Sequence, residues 1–347
     1  MPEPATAPLP ELEISPLVAR LRCLHCGGEL GITSLEPGGH SDLGPDGRLE
    51  CSRCGEDYPV VAGTPRLLQP GMLAEDAIKQ RTAESFAYEW EQFGDLRPEW
   101  RKNFLDYMQP HGADFFDGLL VLDVGAGSGR HSHQAAQLGA DVVAVDVGGS
   151  IDVARRNLPA RVLTVQADAE TLPFEEGSFD FVMSIGVLHH LPDTERALSS
   201  VVRYAKPGGG VQIYLYWLPE PRWQQRVLQW VAALRRVTVR MPRRLLHAFC
   251  YPLAVALFVV AVVPHRILRR TARGHAIASH IPLRGYADYP FGVLVNDQFD
   301  RFSAPLERRF TREEVHRMLA ASGLEQIRVI ANNGWIGSAI RSGKPVR

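Results

Sequence analysis

Short apolar runs alternate with helix-length stretches through the middle of the chain. Five runs of strand length begin near residue 119: Leu119–Val124, Val142–Val145, Arg161–Val165, Phe179–Ile185 and Val211–Tyr216. Stretches of helical length lie between several of them, at 129–138, 149–157 and 192–205. Alternation of this kind is typical of a parallel sheet with helices on both faces, so we predict an α/β domain.

The C-terminal part of the chain predicts a helix and then a hairpin. Thr311 and Glu314 have the spacing of a capping box, in which each side chain satisfies a backbone N–H of the other residue. The elements that we expect there are a helix at 312–322 and two strands, at about 324–331 and 335–341.

The remaining segments divide the chain further. The sequence of 73–109 predicts aromatic helices that are broken at Gly94 and Pro98. The turn-rich residues 17–70 are too few to form a large core, so this segment needs a cross-link such as a structural metal or disulfides. We therefore expect a flexible, proline-rich leader at 1–16, a small cysteine-containing domain at 17–70, the α/β domain at 73–217 and 301–347, and a helical insertion at 218–300.

Composition limits the class of protein. Of the 347 residues, 45% are hydrophobic and 22% are charged, which excludes a wholly disordered chain. The net charge of -1 argues against a globally basic nucleic-acid coat. Five cysteines are too few for a disulfide-rich secreted scaffold, and the N-terminus lacks the pattern of a signal peptide. We expect a cytoplasmic protein.

A glycine-rich turn between a predicted strand and a predicted helix is the strongest chemical signal. It reads Asp123-Val124-Gly125-Ala126-Gly127-Ser128-Gly129. Glycines let the backbone approach a ligand closely, and the start of the following helix offers unpaired N–H groups. A glycine turn that binds nothing is the alternative interpretation of the loop alone.

Two more acidic residues, Asp146 and Asp168, follow the second and third predicted strands. Open α/β sheets bind ligands at the carboxyl ends of their strands. There Asp146 can accept both ribose hydroxyls of a nucleoside, and Asp168 can meet an adenine amino group. A nicotinamide enzyme shares part of this pattern, but Asp123 would repel a diphosphate and attract an ammonium. The residues therefore favour S-adenosylmethionine, an adenosine with a cationic amino-acid tail.

Five blocks resemble the class I S-adenosylmethionine-dependent methyltransferases, in particular the group that includes the ubiquinone and menaquinone C-methyltransferases. The blocks are LDVGAGSGR (122–130), VDVGGS (145–150), QADAETLPFEEGSFDFV (166–182), SIGVLHHLPD (184–193) and KPGG (206–209). The resemblance covers about residues 80–340 and implies a Rossmann-like sheet of seven strands.

The same resemblance implies roles for individual residues. Asp123 and the glycines would hold the methionine moiety, Asp146 the ribose, and Asp168 the adenine. The full set of implied cofactor-binding residues is Asp123, Gly125, Ala126, Gly127, Gly129, Asp146, Val147, Asp168 and Ala169.

His189 and His190 lie just beyond the fourth predicted strand, near the expected position of the methyl group. Methyl transfer needs a base only where the acceptor must lose a proton, because the sulfonium is already activated. We interpret His189 as the candidate base. The alternative is that both histidines pack against, or cap, the next helix.

Four of the cysteines form two Cys-x-x-Cys pairs, Cys23 with Cys26 and Cys51 with Cys54. Two such turns predict a closed, tetrahedral structural zinc site. Disulfides and an iron–sulfur cluster are the alternatives, and a cytoplasmic setting argues against disulfides. The segment resembles the zinc ribbon of the small activator subunits that partner tRNA and release-factor methyltransferases, which implies support of the enzyme or substrate placement.

The insertion has an unusual composition, since residues 222–273 contain eleven arginines and no Asp, Glu or Lys. Apolar residues recur there at helical spacing (Trp223, Val227, Trp230, Val231 and Leu234), and Leu245–Val263 is an uncharged run that Pro252 interrupts. Arginines flank both ends of the run, so we favour a bent, shallow insertion at the inner face of the membrane. A buried cap over the site and an RNA-binding surface are the alternatives.

These observations favour methyl transfer to an O or C atom of a lipid, a lipid-linked glycan or another amphiphilic small molecule. Alternatives are a tRNA, rRNA or protein methyltransferase that uses the zinc ribbon for substrate placement, and a non-catalytic S-adenosylmethionine-binding adaptor. The neutral charge and the sequence of 184–190, which lacks an Asn-Pro-Pro-aromatic motif, argue against a nucleic-acid partner. Further candidates for a substrate pocket, or for a surface loop, are Tyr286, Asp288, Tyr289, Asp297 and Asp300.

Overall fold

The computed structural model describes residues 15–36, 44–69, 76–271, 274, 277–278, 281 and 283–343. The leader expected at 1–16 lies almost entirely outside the described residues, as do parts of the expected cysteine domain and of the insertion.

The N-terminal segment consists of short antiparallel strands. They are β1 (Leu30–Glu36), β2 (Asp46–Cys51), β3 (Asp57–Val61) and β4 (Thr64–Leu67). Two helices follow, α1 (Ala77–Phe93) and α2 (Glu99–Tyr107), separated at Gly94 and Pro98 as the sequence predicts. The side chain of Asp76 caps α1 by accepting the N–H groups of Ile78 and Lys79.

Strands and helices then alternate in the predicted manner. The elements are β5 (Leu120–Val124), α3 (Arg130–Gln137), β6 (Asp141–Asp146), α4 (Ser150–Asn157), β7 (Leu163–Ala167), β8 (Phe179–Ile185), α5 (Thr194–Val202) and β9 (Ala205–Leu215). All five residues of β5 are buried, as expected for a central strand of a parallel sheet that is covered on both faces.

The insertion is helical over most of its described residues. It contains α6 (Arg222–Thr238), α7 (Arg243–Leu257), a π turn (Phe258–Val262) and α8 (Val263–Leu268). A further helix, α9 (Phe291–Ser303), crosses the domain boundary expected at residue 300. The interruption expected at Pro252 was wrong, because α7 runs through it. Pro252 and Ala248 are both exposed, so the carbonyl that loses its partner lies at the surface.

The chain ends with α10 (Arg312–Ala321), β10 (Leu324–Ala331) and β11 (Trp335–Arg341). The predicted capping box is present at the start of α10. The Glu314 N–H donates to the Thr311 hydroxyl at 3.2 Å, and the Glu314 carboxylate accepts the Thr311 N–H at 2.8 Å.

A single sheet contains the described strands in the order β1-β2-β3-β4-β7-β6-β5-β8-β9-β11-β10. The part from β7 to β10 is the predicted Rossmann-like sheet of seven strands, with β11 antiparallel between β9 and β10. The sheet extends beyond the predicted seven strands because β4 pairs in parallel with β7, at Arg66–Gln166 and Leu67–Ala167. The cysteine-containing segment is therefore continuous with the α/β sheet.

Three apolar clusters make up the core. One covers the face of the sheet under α5 and α10 and continues into the N-terminal segment, where it includes Leu21 and Leu67. A second lies under α2, α3 and α4 on the other face. The third joins α7 to α9 through residues such as Leu246 and Phe299.

The carboxyl ends of β5, β6, β7 and β8 lie at the edge of the sheet where α1 also packs.

Candidate active site

The glycine-rich turn connects β5 to α3 in a left-handed backbone conformation. Gly125 and Gly127 have φ angles of 81° and 57°, which glycine adopts without the penalty of other residues. A Cβ atom at Gly125 would lie 2.3 Å from a methyl carbon of Val187. The N–H groups of Gly125 and Ala126 both donate to the Val145 carbonyl, at 2.8 and 2.9 Å, and hold the turn against the end of β6.

The structure brings two of the three predicted acids together beside this turn. Asp123 is 1% exposed and accepts a 2.6 Å hydrogen bond from the Ser132 hydroxyl. Burial raises the pKa of Asp123 to about 7; the Asp146 charge adds to this rise, and the bond from Ser132 opposes it. Asp146 accepts the N–H groups of Gly127 and Gly148, each at 3.0 Å, and burial raises its pKa too.

The third acid, Asp168, already has a cationic partner. The Lys79 ammonium, which comes from α1, donates to Asp168 Oδ2 at 2.7 Å and to Glu170 at 2.8 Å. The side chains of Lys79 and Asp168 are only 7% and 6% exposed. Val147 and Ala169, also predicted at the site, follow Asp146 and Asp168 directly and are partly buried. No pattern in the sequence predicted that Lys79 would occupy this position.

Helix α1 covers the glycine-rich turn as well. A Cβ atom at Gly127 would lie 2.7 Å from the indole nitrogen of Trp90, so the indole contacts this part of the turn. The Arg130 guanidinium, which follows the turn, lies 5.3 Å from the Trp90 ring centre and 5.1 Å from that of Trp100. Aromatic residues of the predicted helices at 73–109 therefore form one wall of the site.

The predicted base, His189, lies in a short 3-10 turn (Leu188–His190) after β8. Its side chain is fully buried, and within the described part of the chain neither ring nitrogen has a hydrogen-bond partner. Burial lowers the pKa of His189 well below its ordinary value, and nearby cationic groups add to this effect. The ring lies 4.0 Å from that of Tyr216 and 4.2 Å from that of His190.

His190 fits the packing alternative better than His189 does. Its Nδ1 atom lies 2.7 Å from the Leu306 carbonyl oxygen, and its ring meets the edge of Phe86 at 5.0 Å. His190 thus has a structural partner, whereas neither ring nitrogen of His189 has a hydrogen-bond partner among the described residues.

Acids and tyrosines form a buried cluster next to the histidines. The Tyr216 hydroxyl donates to Asp300 at 2.9 Å, and the Tyr286 hydroxyl donates to Asp297. Glu89, from α1, is 2% exposed, and its Oε2 atom has no partner among the described residues. Burial raises the pKa of Glu89 well above its ordinary value, and the charges of Asp300 and Asp297 raise it further.

The pocket residues expected from sequence divide into two groups. Tyr286, Asp297 and Asp300 belong to the buried cluster. Asp288 is exposed and pairs with Arg269 at 2.6 Å, and the Tyr289 ring lies against that of Trp100 at 5.9 Å. Sequence reasoning missed Glu89, because no spacing rule connects a residue of α1 to this cluster.

The four predicted zinc ligands converge. The sulfur atoms of Cys23, Cys26, Cys51 and Cys54 all lie within 4.8 Å of one another, with Cys23–Cys54 at 3.7 Å and Cys26–Cys51 at 3.4 Å. Zinc–sulfur bonds of about 2.3 Å in a tetrahedron place sulfurs about 3.8 Å apart, so the four thiols fit this metal. A Cβ atom at Gly28 would lie 2.8 Å from the Cys51 sulfur, which explains the glycine there.

Comparison with known proteins relates the segment that contains the glycine-rich turn to methyltransferases. Residues 122–213 match the family model described as a methyltransferase domain. The chain is 33% identical over 145 residues to the biotin biosynthesis bifunctional protein BioHC of Cellvibrio japonicus, a match that covers 41% of this chain and 28% of that protein. It is 40% identical over 99 residues to a demethylmenaquinone methyltransferase of Clavibacter sepedonicus, covering 28% of this chain and 40% of the relative.

The chain thus spans less than half the length of these relatives. Among solved structures, magnesium protoporphyrin IX methyltransferase from Synechocystis is similar at 15% identity and a TM-score of 0.42, over 77% of this chain and 98% of that one. The family match covers the glycine-rich turn and Asp123, Asp146 and Asp168. Residues 122–213 therefore match a methyltransferase domain, in a chain whose N-terminal segment brings four cysteines together as a zinc ribbon does.

Proposed function

We propose that this protein transfers the methyl group of S-adenosylmethionine to an oxygen or carbon atom of an amphiphilic small molecule. The observation that carries the proposal is the placement of the glycine-rich turn between the buried Asp123 and the partly buried Asp146, in a segment that matches the methyltransferase family model. A turn that binds nothing has no need for two carboxyls whose pKa values desolvation raises.

The residues present fit the cofactor. Gly125, Ala126, Gly127 and Gly129 form the turn beside Asp123, a buried carboxyl that a bound ammonium would stabilise in its ionised form. Asp146 and Val147 would hold the ribose. Asp168 and Ala169 would hold the adenine, with Lys79 sharing the Asp168 carboxylate. The bound cofactor supplies an activated methyl group, so the protein contributes mainly alignment and the removal of a proton.

His189 is the residue that we assign to proton removal. Its low pKa keeps the imidazole neutral near pH 7, and both ring nitrogens are free among the described residues. A lone pair of the neutral His189 ring is available to take the proton that an acceptor hydroxyl or acidic C–H group loses, although the lowered pKa makes this ring a weaker base than an ordinary histidine. The Tyr216–Asp300 pair beside it would orient the acceptor through a hydrogen bond.

The amphiphilic character of the acceptor is supported by the chemistry of the wall around His189. Tyr216, Tyr214 and Tyr107 pack edge to face against one another beside His189, with ring separations of 4.7 Å between Tyr107 and Tyr214 and 6.1 Å between Tyr214 and Tyr216. Aromatic surroundings of this kind suit an apolar ring or chain with a small polar group. The relatives include a demethylmenaquinone methyltransferase and a ubiquinone biosynthesis O-methyltransferase, whose names refer to amphiphilic quinones.

We also propose that the cysteine cluster holds one structural zinc ion. Four thiolates in a tetrahedral arrangement leave no open position for a reacting water, so the metal would stabilise the fold and take no part in methyl transfer.

The test uses the full chain and methyl-labelled S-adenosylmethionine with a fractionated lysate. We expect label in the organic extract that contains lipids and quinones. Label that appears only in RNA or protein would overturn the proposed acceptor class. Binding of S-adenosylhomocysteine without incorporation in any fraction would make the chain an adaptor and would overturn the activity.

A matched pair of variants tests the role of His189. Because general-base catalysis contributes about 10²–10⁴-fold, His189→Gln should lower kcat at least 100-fold. Its dissociation constant for S-adenosylhomocysteine should stay within about twofold of the wild type, because His189 is assigned to the acceptor. His190→Gln, which removes the packed neighbour, serves as the control and should retain most activity. An equal loss in both variants would contradict the assignment.

A further inference from the structure

Exposed apolar side chains are concentrated on one part of the molecule. Twelve of the eighteen large apolar residues that are exposed in the described part of the chain lie between residues 222 and 268. Trp230 is 78% exposed, Val260 76% and Trp223 65%. We call this surface, formed by α6, α7, the π turn and α8, the apolar–arginine face. An exposed apolar surface of this extent marks an interaction site.

The exposed apolar residues of α6 form a single stripe. At about 100° per residue, Trp223, Val227, Trp230, Leu234 and Val237 fall within one narrow sector of the helix. The buried residues of α6, Arg235 and Thr238, lie on the neighbouring sector and attach the helix to α9. Arg235 donates to the Arg301 carbonyl at 2.8 Å, and Thr238 donates to the Phe302 carbonyl at 2.7 Å.

Helix α7, like α6, has one face packed against α9 and one exposed apolar face. Leu246, Cys250 and Ala254 are buried against α9, in a cluster with Phe299. Leu245, Phe249, Val255 and Val259, by contrast, are about half exposed or more. The face of α7 that is not packed on the protein is therefore apolar as well.

The segment Arg243–Leu268 is the described helix that is long and apolar enough to cross a membrane, with 26 residues and a mean hydropathy of 2.3 in its most apolar window. At 1.5 Å per residue it measures about 39 Å, which exceeds the hydrocarbon core. However, 28% of that window is buried inside the protein, against α9. A crossing would break these contacts, whereas a helix lying along the surface keeps them.

Charge complements this apolar surface. Residues 222–273 contain no acidic side chain. Six exposed arginines of the face have no side-chain hydrogen bond or ion pair within the described residues: Arg222, Arg226, Arg236, Arg240, Arg244 and Arg270. A cleft of about 580 Å³ at the end of α8 is lined by His265, Arg266, Arg269, Arg270 and Asp288. Unpaired arginines beside an apolar surface match the anionic headgroups of a lipid bilayer.

We propose that the apolar–arginine face docks on a membrane that contains anionic lipids. The helices lie in the interface, Trp223 and Trp230 enter the boundary between headgroups and acyl chains, and the arginines contact lipid phosphates. Arginines at both ends of Leu245–Val263 place the protein on the cytoplasmic leaflet. Docking is independent of methyl transfer and is measured without cofactor.

Vesicle flotation of the full chain tests the apolar contribution. We expect wild-type protein to float with vesicles of phosphatidylcholine and phosphatidylglycerol, accompanied by a blue shift of tryptophan fluorescence. Trp230→Glu combined with Val260→Glu should lower the vesicle affinity at least tenfold, because two exposed apolar contacts are replaced by repelled charges. The control is Ile32→Glu combined with Val61→Glu, which alters two exposed apolar residues of the N-terminal strands and should stay within twofold.

Two further measurements test the contribution of the exposed arginines to vesicle binding. Each arginine near an anionic bilayer contributes about 1 kcal/mol, so Arg236→Gln with Arg240→Gln should lower the affinity for anionic vesicles about 30-fold. Binding should also weaken with salt and with pure phosphatidylcholine vesicles.

Three results would overturn the proposal. The first is wild-type protein that stays at the bottom of the gradient with anionic vesicles. The second is flotation that the Trp230/Val260 variant does not change. The third is a wild-type dimer that this variant converts to a monomer in sedimentation while neither form binds vesicles, since a second copy of the chain would then occupy the face.

Discussion

Gly125 combines a left-handed backbone with a close neighbour, and the two effects can be separated by substitution. Gly125→Ala places a methyl group against Val187 at φ 81°, whereas Gly118→Ala has a similar φ of 71° and no atom within 4 Å. Both variants should lose about 1–2 kcal/mol of stability from the backbone alone. Only Gly125→Ala should also weaken binding of S-adenosylhomocysteine, by tenfold or more, because the turn must shift away from Val187.

Isothermal titration calorimetry with S-adenosylhomocysteine and thermal unfolding of both variants provide the comparison. Equal affinity in the two variants would show that the backbone of the turn does not contact the cofactor.

Asp123 makes cofactor binding dependent on pH. Its pKa of about 7 lies above the ordinary value, so the carboxyl is increasingly protonated below pH 7. The ammonium of S-adenosylhomocysteine favours the ionised form, and affinity should therefore fall as the pH drops below 7, by up to tenfold per unit. The groups that face this carboxyl are Ser132, Asp146 and Arg130.

Titration of Asp123→Asn over the same pH range is the control. An amide does not ionise, so this variant should bind weakly with a much flatter pH profile. The prediction fails when the wild type binds equally well at pH 5.5 and pH 8.

The sequence could predict the site residues that follow strands, and it could not predict those that reach the site from elsewhere. Asp123 and Asp146 are fixed by strand ends, because neighbouring parallel strands end at the same edge. Lys79 and Glu89 come from α1, more than thirty residues before the glycine-rich turn. No spacing rule connects them to the site, since their positions depend on how α1 packs over the sheet.

At the scale of elements, α1 is the helix on which the site depends. Its Lys79 ammonium pairs with Asp168 and Glu170, both largely buried, and its Trp90 covers the glycine-rich turn. Lys79→Gln should cost about 3 kcal/mol, because it leaves the buried Asp168 carboxylate without its cation, whereas Glu170 keeps its ion pair with Arg196. Urea unfolding measures this loss.

The chain offers a control for the Lys79 experiment in Lys206, whose pair with Asp180 is partly exposed on both sides. Lys206→Gln should cost less than about 1 kcal/mol, as surface ion pairs usually do. A similar small loss in Lys79→Gln would mean that α1 is held mainly by its other contacts.

The ends of helices and strands could be predicted from the sequence where residues that favour turns lie between them. The hairpin strands 324–331 and 335–341 match β10 and β11 because Asn332-Asn333-Gly334 is a turn that glycine and asparagine favour. The strand predicted at 211–216 begins six residues earlier, at Ala205. Lys206 to Gly209 are typical of a loop, and they lie in a register irregularity between Ala205 and Gly210, the two residues of this stretch that pair with β8.

At the scale of the whole molecule, the N-terminal cysteine segment is part of the methyltransferase sheet. Besides the pairing of β4 with β7, the hydroxyls of Thr64 and Thr164 lie 2.7 Å apart in the interior, and the Arg22 N–H donates to the Pro173 carbonyl at 2.8 Å. The sequence predicted both parts but not their junction. The four residues of β4 are too few to carry a readable strand pattern, and Pro65 within them argues against a strand.

This junction predicts that the cysteine segment and the methyltransferase domain unfold together. The apolar cluster that contains Leu21 and Leu67 continues under the main sheet, so neither part can open without exposing it. Purified protein should contain about one zinc ion per chain and give one calorimetric transition. Chelation, or Cys51→Ser, should lower the temperature of that single transition by removing the metal that holds the N-terminal strands.

Cys250→Ala is the matched control for the metal experiment, since Cys250 is buried between α7 and α9, away from the four clustered thiols. It should keep its zinc and lose only about 1 kcal/mol for the small cavity. Two transitions in the wild type, of which chelation moves only one, would show that the two parts fold independently. A single transition that shifts as a whole on chelation would show that the metal of the N-terminal segment also determines the temperature at which the glycine-rich turn unfolds. The reason is that β4 and β7 unfold as one sheet.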